Sequence, residues 1–157
     1  KETITHFNRN GTNPLVTVRE FEYTSIHHKF RTLEKLTDSK RDETQKRYYY
    51  PEDYNNSVAN IIKLKNNHII GKAIKTEIIK NDNLIDGTVL RYNDQGDPSE
   101  IYKYESESLI PPSTHNHNLF IPTGYQKKAS YDYDPLTHVL NDVFIHGIKN
   151  TAYIWNR

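Results

Sequence analysis

The chain has 157 residues, with 21 Lys and Arg against 20 Asp and Glu, a net charge of +1. That balance gives no reason to expect nucleic acid or an acidic membrane surface as a partner, and no apolar run approaches the length of a membrane span. Cysteine is absent, which excludes disulfides, thiolate metal sites and cysteine nucleophiles; methionine is absent too, even at position 1, so a processed or excerpted piece of a larger protein is expected.

Along the chain, Lys1 to Asn13 is polar and closes on the turn pair Asn10-Gly11. Pro14 opens a strand from Leu15 to Tyr23, in which Val16 and Val18 alternate with polar residues. The alternation slips at Arg19-Glu20, where a bulge or a change of face is expected. Phe30–Thr37 and Thr44–Tyr50 flank the polar run Asp38-Ser39-Lys40-Arg41-Asp42, the pattern of a hairpin and its tip. Pro51 cannot donate to a ladder and closes that strand.

A short helix near 57–66 follows. Ser57 stands as its cap, Val58, Ile61, Ile62 and Leu64 fall at helical spacing, and Asn66-Asn67 is its stop. So short a helix is marginal alone and must pack on a sheet. From Lys72 the pattern returns to strand. Lys72–Ile79 and Leu84–Tyr92 flank Asn81-Asp82-Asn83, with Gly87 as an expected bulge. Asn93-Asp94-Gln95-Gly96-Asp97-Pro98 is a strong turn. Ile101–Glu105 alternates again, a Pro- and Asn-rich loop runs through 111–118, and Gln126–Tyr133, Val139–Ile145 and Thr151–Trp155 read as three more strands.

The composition agrees with this order. Ile (16) and Tyr (12) both outnumber Leu (10), Ala occurs 4 times, and Asn occurs 16 times. Strands favour Ile and Tyr, helices lean on Leu and Ala, and Asn suits turns. Leu, Ile, Val and Phe sum to 37 residues, just above the range where disorder is the default. With a mean hydropathy of −0.88, much of each strand must face water or a neighbouring module. No linker divides the chain, so one mainly β domain over 1–157 is expected.

Two segments share a layout. Tyr92-Asn93, with Gly96 and then Ile101-Tyr102, matches Tyr131-Asp132-Tyr133-Asp134, followed by Leu140, Gly147 and Tyr153. In each, a Tyr ends a strand, an Asn or Asp opens a turn, and an aliphatic residue starts the next strand. The ring packs on the sheet and the Asx side chain bonds its own turn backbone. This layout resembles the YD repeat of the RHS family. The last 27 residues look like the terminal repeat of RHS-like surface proteins of Bacteroidetes, and Tyr48–Tyr54 with the helix after it is also similar. The chain departs from the pattern at Thr137, which stands where many repeats have Gly.

The resemblance implies antiparallel hairpins stacked into a curved sheet. It implies a non-catalytic structural or interaction segment of a cell-surface or secreted protein, held against a protein partner or the rest of a larger chain. An adhesin-associated role in gliding or type IX secretion is the related alternative. The family's self-cleaving DPxG segment is not carried over, because Asp134-Pro135 is followed by Leu136-Thr137 and Asp97-Pro98 by Ser99-Glu100.

Arg47, Tyr48, Tyr50 and Tyr54 form an aromatic and cationic set for which a sheet core or inter-module contact is the favoured reading, with a grip on a glycan as the alternative. Carboxylate pairs such as Glu52/Asp53 or Asp132/Asp134 could serve acid-base chemistry; Asp132 and Asp134 share a face if extended and are the pair for a hydrolase, against a turn-forming role for Asp134. His115 and His117 could hold a metal only with a third ligand, and none is placed by the sequence. His27-His28 cannot chelate if extended. No P-loop, dinucleotide or nucleophile-elbow motif is present, and the expectation is no metal, no cofactor and no enzyme. An open repeat sheet leaves two edges, which another chain or further sequence should cover.

Overall fold

The computed structural model describes residues 2–6, 15–55, 59–106 and 121–152. Among the described residues ten strands form one sheet: β1 (Glu2–His6), β2 (Leu15–Glu22), β3 (Leu33–Thr37), β4 (Glu43–Tyr49), β5 (Lys75–Lys80), β6 (Asn83–Tyr92), β7 (Pro98–Tyr104), β8 (Tyr125–Tyr133), β9 (Leu140–Ile145) and β10 (Ile148–Ala152). Their order in the sheet is their order in the chain, and every adjacent pair is antiparallel. The protein is mainly β, an open meander with one short helix, α1 (Ala59–Asn66), inserted between β4 and β5.

Three hairpins share one turn chemistry. The Asp38 carboxylate accepts the backbone N–H of Lys40 (2.8 Å) and Asp42 (2.9 Å). The Asn93 amide oxygen accepts those of Gln95 (3.1 Å) and Asp97 (2.8 Å). Asp134 accepts those of Leu136 (3.0 Å) and Thr137 (2.7 Å). In each turn a later residue takes a left-handed backbone: Arg41 (φ 68°), Gly96 (φ 86°) and His138 (φ 56°). At the third turn the left-handed position falls on His138 rather than Thr137, whose hydroxyl instead donates to Asp134 at 2.9 Å. The missing glycine is thus absorbed by a turn one residue longer. Truncating Asp38, Asn93 or Asp134 to Ala is expected to cost about 1 kcal/mol each. Arg41→Gly should gain up to about 1 kcal/mol, because a side chain is strained in the left-handed region. Urea midpoints of the four variants check both signs.

Two further hairpins use two-residue turns, Asn81-Asp82 (φ 50° and 58°) and His146-Gly147 (φ 51° and 79°). Positive φ at both central residues matches the twist of the flanking strands.

The core lies where α1 meets the sheet. Tyr54, Ile61, Leu64, Ile74 and Tyr92 are buried together, with Tyr49, Ile69 and Leu90 packed against them. The helix is also tied to the Asn93 turn. Lys63 pairs with Asp94 at 2.7 Å, the Asn67 amide donates to the Asp94 carbonyl, and Lys72 donates to the Gly96 carbonyl. A side chain at Gly96 would also press on Ile69, whose methyl lies 2.6 Å from the Cβ position.

Several expectations change. β1 occupies a segment read only as polar, because Thr and Ile alternate there without a marked apolar face. The register of β2 against β3 runs unbroken from Val18 to Glu22, and its pairing with β1 is regular up to Arg19, so no bulge forms there. Gly87 pairs directly with Glu77, and the irregularity falls between Asp86 and Leu84. β5 begins at Lys75 rather than Lys72. The helix ends at Asn66, where the sequence places its stop, and the left-handed residue past it is His68 (φ 57°). The cap Ser57, Tyr153, the Asn10-Gly11 turn and the loop with His115 and His117 lie outside the described residues.

Candidate functional site

Arg47, Tyr48, Tyr50 and Tyr54, the alternative glycan site, do not make a common platform. Tyr50 is 8% exposed and Tyr54 is 3% exposed. The Tyr50 ring lies 4.8 Å from that of His28 and 5.0 Å from that of Phe30, and its hydroxyl donates to the Arg31 carbonyl (3.2 Å). Tyr54 belongs to the core under α1. Neither ring offers a free face to a sugar, because Pro51 turns the chain inward directly after β4. Tyr48 remains half-buried, with the Arg31 guanidinium 4.6 Å from its ring centroid and bonded to its hydroxyl at 2.9 Å. That hydroxyl donates to Glu34 at 3.1 Å. Arg47 donates to Gln45 at 3.2 Å.

Arg47 and Tyr48 do line a cleft of about 340 Å³ between β2, β4 and the 3-10 turn Pro51–Asp53, together with Glu22, Thr24, Ser25 and Asp53. Beside it, Ser25, Asp53 and His28 are hydrogen-bonded. The Ser25 hydroxyl donates to Asp53 at 3.3 Å, and His28 Nε2 lies 3.1 Å from the same carboxylate. These are the residue types of a hydrolytic triad in the wrong order. A triad needs the imidazole between serine and carboxylate. Here the carboxylate lies between the other two, and His28 Nδ1 accepts the Phe30 N–H at 3.2 Å. That bond puts the ring proton on Nε2, so the imidazole donates to Asp53 and cannot take a proton from Ser25. Asp53 also accepts the Tyr50 N–H at 2.8 Å. The cluster anchors the loop 23–32 to the end of β4.

The sequence held no sign of a second cluster. Lys75 and Glu77 are 2% and 0% exposed and bonded at 2.9 Å. The Tyr49 hydroxyl donates to the other Glu77 oxygen at 2.9 Å, and the Lys75 ammonium lies 4.2 Å from the Tyr49 ring centroid. Cross-strand pairing sets Tyr49 opposite Lys75, Arg47 opposite Glu77, and Gly87 opposite Glu77 from the other side. Gly87 leaves room for the Tyr125 ring, whose hydroxyl would overlap any Cβ at that position. Burial, then the nearby Glu77 charge, pushes the Tyr49 and Tyr125 phenols far above their ordinary value. Tyr54 is raised by burial first, and then by Tyr49 and Glu77. Lys75 on one oxygen and the Tyr49 hydroxyl on the other satisfy both oxygens of the buried Glu77 carboxylate.

A third network joins Arg91, Glu100, Tyr102 and Lys127. Glu100 accepts from Arg91 (2.9 Å), Tyr102 (2.9 Å) and Lys127 (3.1 Å). Burial works to raise its pKa, but the hydrogen bonds from Lys127, Tyr102 and Arg91 together hold it below the ordinary carboxylate value. The folded value is therefore lower than the unfolded one. The stability it contributes is present above the unfolded value near 4.5 and fades as pH falls through the folded value. On the alkaline side the raised tyrosines act oppositely. Their contribution is present below pH 10 and is lost as pH rises beyond it. Urea titrations should show stability falling at both ends, and Glu100→Gln should flatten only the acid limb.

The hydrolase pair separates. Asp132 is exposed, while the Asp134 carboxylate turns into its own hairpin and binds two backbone N–H groups and a hydroxyl. His27 is exposed and His28 is buried, so they cannot chelate together. Among the described residues no three His, Asp or Glu are grouped to hold a metal, and no helix is long and apolar enough to cross a membrane. The residues that mark the repeat are placed in the sheet: Tyr92 donates to the Ala73 carbonyl (3.2 Å), Tyr133 donates to the Pro98 carbonyl (2.8 Å), Tyr131 is half-buried in β8, and Gly147 sits in the last turn. No family model, no curated protein and no solved structure matches the chain.

Proposed function

We propose that this chain is a non-catalytic structural segment of a YD-repeat-like surface or secreted protein, which presents its sheet to a partner or neighbouring module. The observation that supports this most is the recurring hairpin: Asp38, Asn93 and Asp134 each open a turn by accepting two backbone N–H groups of that turn, two and four residues ahead for Asp38 and Asn93 and two and three ahead in the longer Asp134 turn. Tyr92 and Tyr133, directly before two of these residues, each bond a carbonyl of a different hairpin or of the helix connection. A unit that joins strand, Asx turn and tyrosine clasp extends a sheet without needing a pocket. The ionisable clusters point the same way, since their carboxylates are consumed by internal donors.

An antibody raised against the chain tests this reading in the source cells. Immunoblots should show it within a polypeptide larger than 18.5 kDa, accessible to surface biotinylation or present in the medium. A free 18.5 kDa species confined to the cell interior would overturn it.

A further inference from the structure

The two edges of the sheet are built differently. β10 carries an extra residue, Asn150, between its pairs Lys149 to Phe144 and Thr151 to Val143. A bulge and a lysine are devices that keep an edge from accepting another strand. β1 has neither. It pairs with β2 in regular register from Glu2 opposite Arg19 to His6 opposite Leu15. No lysine or proline interrupts Glu2-Thr3-Ile4-Thr5-His6, and Thr3, Ile4 and Thr5 are exposed. Among the described residues no strand covers its outer side.

We propose that this edge is an interface with a second copy of the chain, β1 against β1, antiparallel about a twofold axis through Ile4. The partner thus named is one the sheet-presenting reading leaves open, and the inference rests on that reading. The strand is complementary to itself. This register sets Glu2 opposite His6, Thr3 opposite Thr5 and Ile4 opposite Ile4. Threonine and aliphatic pairs are favourable cross-strand neighbours, and the acid avoids its own image. Moving the axis to Thr3 would instead set Glu2 against Ile4. Pairing β1 with β10 of another copy is head-to-tail and would run on into a filament, whereas the twofold contact closes at two. A five-residue strand pair buries well under the roughly 1,200 Å² of a standard interface, so the association is weak and depends on concentration.

The absence of cysteine gives a clean test. Residues facing across an antiparallel pair have Cα atoms about 4.5–5.5 Å apart, within disulfide reach. Under mild oxidation Ile4→Cys should form a covalent dimer about tenfold faster than Ile148→Cys on the opposite edge, because pairing raises the local thiol concentration. Sedimentation of the unaltered chain should shift from monomer towards dimer as concentration rises. Ile4→Lys, which sets two cations face to face, should stay monomeric with an unchanged far-ultraviolet spectrum. If Ile4→Lys also loses strand signal, the cysteine comparison decides alone. Equal cross-linking at the two edges, a monomer at every concentration, or species larger than a dimer would overturn the proposal. Those results would leave the non-catalytic reading standing, since surface labelling tests it separately.

Discussion

Replacing Glu77 with alanine is expected to destabilise the chain by about 3–5 kcal/mol, the largest effect of any single substitution considered. The reason is what remains. Lys75 is 2% exposed and hydrogen-bonded to Glu77, so the truncation leaves an ammonium in a site built for a pair. The Tyr49 hydroxyl loses its acceptor in the same step. The two charges need not be stabilising as a pair, because both were taken out of water to form it. Replacing Lys75, Glu77 and Tyr49 together by Met, Leu and Phe should therefore recover most of the loss. Urea unfolding of the single and triple variants separates the two statements. A single variant costing under about 1 kcal/mol would show that water reaches Lys75.

Gly87 is the second sensitive position. A Cβ there would meet the Tyr125 hydroxyl, with the ring carbon bearing it only 2.7 Å away. Gly87→Val is expected to cost about 1–3 kcal/mol by overpacking, although valine suits a strand better than glycine does. Tyr125→Ala should cost stability alone yet relieve Gly87→Val, so the double variant should be more stable than the sum of the two losses implies. A double-mutant cycle measures this coupling. Strict additivity would mean that the ring does not rest on Gly87.

The turns were readable because their chemistry is local. Asp38, Asn93 and Asp134 bond backbone two to four residues ahead, so a window of six residues contains the whole motif. The helix was readable for the same reason, from the spacing of Ile61 and Leu64. What escaped the sequence depends on distant residues. Lys75 and Glu77 alternate with Thr76 and Ile78, and on that pattern they belong to a solvated face; they are buried with Tyr49, Val89 and Tyr125, which reach them from other strands. Gly87 looked like a bulge because the ring that needs its space lies 38 positions away. The burial of Tyr50 and Tyr54 agrees with the core reading of this aromatic set, while the glycan alternative stayed open because composition does not say which way the chain turns after β4. The left-handed backbone past the helix falls on His68 rather than on an asparagine, and at the third turn it falls on His138 rather than on the β-branched Thr137, which tolerates it less readily.

Amide hydrogen exchange on a dilute sample tests the open meander most directly, since the display of a sheet requires edges that no strand among the described residues closes. Amides of β4 to β7 should be protected throughout. In β1 and β10 only those directed at β2 and β9 should be protected, giving alternating slow and fast residues. Continuous protection along both β1 and β10 at low concentration would mean that the sheet closes on itself, and would contradict the open, sheet-presenting architecture.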